Sequence, residues 1–296
     1  MYAINIVKRL AKAGLRRAGL EISRVSSPEP PPVLPPIFDD PIEAFYFQTG
    51  RGGRPSAFLC PLNRMVKDNG FSYPPNGYEP SVLAMLDYIS GLCTEYSGSH
   101  IERYHAWRGV NINNALDNLI GVTDAPALMK TSKHVAVLPW DTIDVETRQA
   151  EIEANMMYEY KRHGWPDLDV DEHVPAKGEM EFKRCVRILE KISKEGFQRI
   201  HGDVRVTMLK RDGEYRFVFS GAGKHRTAAM ATLGETHIPA SFHGHPRIIE
   251  MNDVEYWPQV RRNIWPRKSA LEYFNHLFDF DSKEWARKQG LLERLE

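Results

Sequence analysis

An excess of charge of either sign is missing from this sequence: Lys and Arg number 39 and Asp and Glu number 39, for a formal charge of zero over 296 residues. A dedicated nucleic-acid binder usually carries a basic surplus, so tight, sequence-specific nucleic-acid binding is not expected. Cysteine is scarce. Cys60, Cys93 and Cys185 lie far apart, with no CxxC and no metal-ligand spacing, which fits buried thiols in a reducing compartment. No apolar run reaches the length of a membrane-spanning helix, and the N-terminus lacks the apolar core of a signal peptide. The expected location is the cytoplasm, with peripheral attachment to the inner face of a membrane as an option. No internal repeat is visible. What remains is ordinary for a globular protein with a sizeable core, at 42% hydrophobic and 26% charged residues.

Residues 1–25 read as a basic amphipathic helix. Ile6, Val7, Leu10, Ala13 and Leu20 recur at helical spacing among Lys8, Arg9, Lys12, Arg16 and Arg17, a pattern suited to an anionic membrane surface or to docking on protein. Residues 26–36, SSPEPPPVLPP, form a stiff linker by composition. Residues 37–130 read as a mainly helical subdomain, with helices expected over 80–96, 100–107 and 113–121. A β-branched run at 134–140 predicts a strand, 144–163 a helix and 163–178 a loop. Residues 179–196 then predict an amphipathic helix with Phe182, Val186, Leu189 and Ile192 on its apolar face and Gly196 as its stop. Two strands follow over 204–221, joined by Asp212-Gly213, a strong short-range hairpin signal. A glycine turn opens an Ala-rich helix over 223–234, and 237–243 reads as a last strand. The aromatic helix at 271–278, in a C-terminal helical extension over 246–296, is better suited to covering a core than to entering a DNA groove.

The chemistry concentrates in FVFSGAGKHRTAAMATLGETHIPASF, residues 217–242. A strand delivers the chain into Ser220-Gly221-Ala222-Gly223, and a helix opens near Lys224, running through Thr227. The first amides of such a helix lack internal partners, and the helix dipole adds positive potential. Glycines admit close approach of an anion. Lys224, His225 and Arg226 add two fixed cations and one titratable ring, and Arg226 can grip a phosphate through two parallel hydrogen bonds. The turn is not a Walker A loop, because Val218 and His225 stand where a Gly and a Ser or Thr are required. Nor is it a dinucleotide fingerprint, because Arg226 occupies the third glycine position. Taken by spacing alone, it is also an ordinary strand-to-helix connection.

With these motifs in order, residues 178–243 resemble the ParB/sulfiredoxin-like superfamily. The match is carried by Leu189, Ile192 and Gly196, then Gly223 and Arg226, then Leu233, Gly234, Ile238 and Pro239. The resemblance implies an α/β (α+β) fold, with a nucleotide-binding domain over 131–245, an N-terminal helical subdomain and a C-terminal helical wrap. It also implies that the Gly-x-x-Arg turn holds the phosphates of ATP or CTP, with Mg²⁺ accompanying the nucleotide. Sulfiredoxin's turn carries a catalytic cysteine where this chain has Lys224, so sulfinic-acid reduction is not expected. The tail after His245 shows no helix-turn-helix pattern, which speaks against chromosome partitioning.

Glu179 and Glu181 open the helix before the hairpin, where the resemblance to a free-serine kinase of this superfamily implies an acid near the nucleotide that would act as a base in phosphotransfer. Acids at a helix start also simply complement its dipole. Of the two, Glu181 adjoins the apolar Phe182 and falls nearer the packed side. His201 and Asp203, just before the hairpin, are possible ligand contacts or solvated turn residues. His237, His243 and His245 lack the Cys or carboxylate pattern of a metal site, and no metal ligands are assigned. The expected function is a nucleotide-dependent phosphotransferase or hydrolase acting on a small or membrane-associated substrate. A non-catalytic, nucleotide-gated adaptor is the alternative, and a DNA-associated ParB relative is a third reading.

Overall fold

The computed structural model describes residues 33–50, 53–111, 122, 137–164, 175–244 and 247–292. The basic helix of residues 1–25 and the expected helix at 113–121 lie outside the described residues. Residues 35–296 form one compact unit.

The protein is mixed α/β, built on a seven-stranded mixed sheet. In chain order the strands are β1 (Ile37–Phe38), β2 (Ala57–Pro61), β3 (Met65–Val66), β4 (Val204–Arg211), β5 (Glu214–Phe219), β6 (His237–Phe242) and β7 (Ile248–Glu250). Their spatial order is β1-β2-β6-β4-β5-β3, and β7 lies beside the second half of β4. The hairpin forms as its sequence directs: β4 and β5 pair antiparallel around Asp212 (φ 47°) and Gly213 (φ 85°), the two positive φ values of a tight primed turn.

The helices are α1 (Pro41–Thr49), α2 (Pro80–Ile89), α3 (His100–Asn111), α4 (Val145–His163), α5 (Pro175–Glu195), α6 (Lys224–Thr232), α7 (Pro258–Arg261), α8 (Arg267–Asp279) and α9 (Ser282–Lys288). Several differ from the sequence reading. Residues 37–66 of the expected helical subdomain supply three strands: β2 pairs with β6 and β3 with β5, so this segment belongs to the same sheet as the β4–β5 hairpin and β6. Two of these strands are only two residues long, too short to show alternation, and the third, AFLCP, is a continuous apolar run. The strand expected at 134–140 is a turn over its described part, 137–140. α2 ends at Ile89 instead of continuing to 96, and α5 starts at Pro175 inside the expected loop.

Alternate residues of the central strands point into two cores. Val204, Val206, Met208 and Phe217 face a layer made by α2, α5 and α6, through Val82, Met85, Phe182, Cys185, Leu189 and Ala229. Leu209, Val218 and Ile249 face the C-terminal segment, where Trp257, Trp265, Tyr273, Phe274 and Leu277 are buried with Trp140 and Phe71. Polar ties hold that cover in place. Tyr273 donates its hydroxyl to Asp68 O at 2.7 Å, and the Gln259 amide donates to Asp141 O and Ile143 O at 2.7 and 2.6 Å.

Candidate functional site

β4 and α6 meet at Gly223. Its φ is +130°, and a Cβ there would stand 2.9 Å from both methyls of Val204, so both backbone conformation and space demand glycine. The turn lets α6 start against the sheet, and the small residues Thr227, Ala228 and Ala229 bury its inner face. No side chain caps the helix. Its first amides are left for solvent or a ligand.

Beside this start lies a cleft of about 370 Å³, lined by Ile188, Lys191, Ile192, Gly196, Gln198, His201, Ala222, Gly223, His225 and Arg226. No acidic residue is among them. Its volume falls within the range of small-ligand sites. The wall from α5 is apolar at Ile188 and Ile192 and carries the cation Lys191, and the wall from α6 brings Arg226. Arg226 is held ready: its guanidinium donates to Gly202 O and lies over the Phe197 ring, 5.2 Å from the centroid. Also in the lining, Lys191 Nζ is 3.4 Å from His201 Nε2.

Of the residues singled out from the sequence, Gly223, His225, Arg226 and His201 share the cleft. Lys224 sits at the helix start but is exposed and outside the lining. Ser220 and Gly221 run beside Arg205 and His243; Ser220 N donates to Arg205 O at 3.0 Å, and its hydroxyl donates to His243 O at 3.4 Å. Thr227 is buried, with its hydroxyl donating to Gly223 O at 3.1 Å. Asp203 is engaged by Arg199 at 2.7 and 2.9 Å and is absent from the lining.

The two glutamates part company. Glu179 is exposed and bonded to Lys183 at 2.7 Å, beside a different groove. Glu181 reaches the turn, where Oε2 lies 2.6 Å from His225 Nε2 while Oε1 accepts from Arg184 at 2.7 Å. Burial pushes its carboxyl up, but the hydrogen bond from His225 and the charges of Lys224, His225 and Arg184 outweigh that and hold it at about 2. His225 is pushed below the ordinary histidine value by burial, which the Glu181 carboxylate only partly offsets, and Lys224 and Arg184 lower it further.

Lys191 and Gln198 were not anticipated. Ile188, Lys191 and Ile192 stand three and four residues apart, so they share one face of α5 at the edge of its apolar stripe. Helical spacing carried that signal, but only the placement of α6 shows that this edge borders a cleft. Among the described residues no cluster of three metal-ligating side chains occurs, and no helix is long and apolar enough to cross a membrane.

No family model, characterised protein or solved structure matches this chain.

Proposed function

We propose that the protein binds a nucleotide, ATP or CTP, with its phosphates against the Gly223–Arg226 turn and its base along Ile188 and Ile192. One observation carries this reading: a cleft with an uncapped helix start, the cations Arg226 and Lys191 and the apolar Ile188 and Ile192 together in its lining, and no carboxylate among them. The motif order shared with ParB/sulfiredoxin-like domains supports the same ligand class. Mg²⁺ would accompany the phosphates. The lining does not fit a protein-held ion, because it offers no carboxylate and Glu181 is already committed to Arg184 and His225.

The leading reading is a phosphotransferase or hydrolase, in which Arg226, with Lys224 at the helix start, stabilises negative charge on the phosphoryl group. The nucleotide-gated adaptor is kept as a second reading on a specific observation. A carboxylate held near 2 is a weak base, so Glu181 is poorly suited to take a proton from an attacking hydroxyl. The test is a thermal-shift screen of nucleotides with and without Mg²⁺, followed by product analysis. Arg226→Ala is expected to weaken nucleotide affinity about ten- to a hundredfold, the equivalent of about 1.5–3 kcal/mol for a charge-assisted hydrogen bond. Unchanged affinity in a folded variant rejects the site.

A further inference from the structure

We propose that anion binding at the Gly223–Arg226 turn is coupled to uptake of one proton by His225, with Glu181 as the residue that positions the ring for it. This rests on the nucleotide reading above and adds a regulation of that site by pH.

The geometry sets the tautomer. Glu181 is an acceptor, so at 2.6 Å the proton of a neutral His225 ring sits on Nε2 and is donated to the carboxylate. Nδ1 is then the bare nitrogen. It makes no hydrogen bond to any described residue, and the ring forms part of the cleft wall. The charged and titratable groups around the ring are Glu181 and Arg184 from α5, Lys224 and Arg226 from its own helix, and Lys191 and His201 in the same cleft lining. Cations therefore predominate, and burial also disfavours a charged ring. In the free protein near neutral pH, His225 accordingly presents a lone pair to the cleft.

An ionised phosphate oxygen is also an acceptor and gains nothing from a lone pair. If Nδ1 takes a proton, the same ring donates to the phosphate on one side and to Glu181 on the other. The imidazolium then lies between two anions, and the ligand supplies the negative charge that the free cleft lacks. Linkage requires the reciprocal effect: affinity falls as pH rises through the range between the free and bound values of His225, by up to about tenfold per pH unit.

The test is isothermal titration calorimetry of the full chain with ATP at fixed pH between 7 and 8, in buffers that differ in ionisation enthalpy. The expected result is a binding heat that depends on the buffer and corresponds to net proton uptake. In His225→Asn, binding persists through Arg226 and Lys224, but the buffer dependence and the pH dependence of affinity shrink to the ligand's own contribution. Glu181→Gln removes the counter-charge and moves the fall in affinity to lower pH. Wild-type binding with buffer-independent heat overturns the coupling while leaving the nucleotide reading intact. Absence of binding of both ATP and CTP at every pH overturns both. The wild-type buffer series decides the matter even where a variant fails to fold.

Discussion

At Glu181 two opposing effects set the charge. Burial favours the neutral acid, whereas the hydrogen bond from His225 and the cations around it favour the carboxylate, and the second group wins, giving a value of about 2 against an ordinary 4.5. A depressed carboxyl stabilises the fold above its unfolded value and loses that contribution as pH falls through the folded one. Glu181→Gln is therefore expected to lower stability at pH 7 by about 1–3 kcal/mol and to flatten the loss of stability between pH 4.5 and about 2. Urea unfolding at a series of pH values checks this, and a variant with the wild-type acid slope contradicts it. Gly223 poses a steric question at the same scale. A Cβ there meets Val204 in a conformation that L residues rarely adopt, so Gly223→Ala should cost about 1–3 kcal/mol. The nucleotide affinity proposed for this turn should fall with it, because the helix start must shift; a shift in urea midpoint alone would show that the turn tolerates the movement.

Among the elements, α5 joins the site to the core. Gly178, Phe182, Cys185, Leu189 and Ile192 repeat at alternating spacings of four and three and are all buried. The sequence reading named Val186 in place of Cys185; the structure leaves Val186 only partly buried, one residue round the helix. Leu189 lies against the sheet-facing layer, and the adjacent Ile188 borders the cleft. Leu189→Ala is expected to lower stability by about 2–5 kcal/mol through a cavity, measured as a fall in denaturation midpoint at unchanged m-value. The hairpin and α6 were legible because their determinants are local: Asp212-Gly213 at one turn and Gly223 ahead of an Ala-rich run at the other. The start of α5 was not legible. Pro175 sits in a stretch rich in Pro, Gly and acid that has the composition of a loop, yet proline is well tolerated in the first turn of a helix.

Across the whole molecule, the sheet has two covered faces, and neither cover comes from residues 131–245 alone. β6 is paired by β2, with Phe58 opposite Ala240 and Cys60 opposite Ile238, while Leu209 and Val218 are covered by the aromatic C-terminal segment. A fragment of residues 131–245 is accordingly expected to be insoluble or molten, with an open sheet edge and an uncovered apolar face. Residues 35–296 should unfold in one cooperative transition. Cooperative urea unfolding of the short fragment would show that the sheet stands without β2 and α8. The sequence by itself determined the hairpin, the amphipathic face of α5, the glycine-to-arginine turn and the aromatic α8, because each depends on residues within one or two turns of chain. Tertiary structure alone decided that two-residue strands from residues 37–66 join this sheet, since such strands exist only through their partners. It also decided that Glu181, some forty residues before His225 in the chain, meets its ring and that Lys191 and Arg226 line one cleft. Those juxtapositions follow from how α5 and α6 pack, which no local pattern encodes.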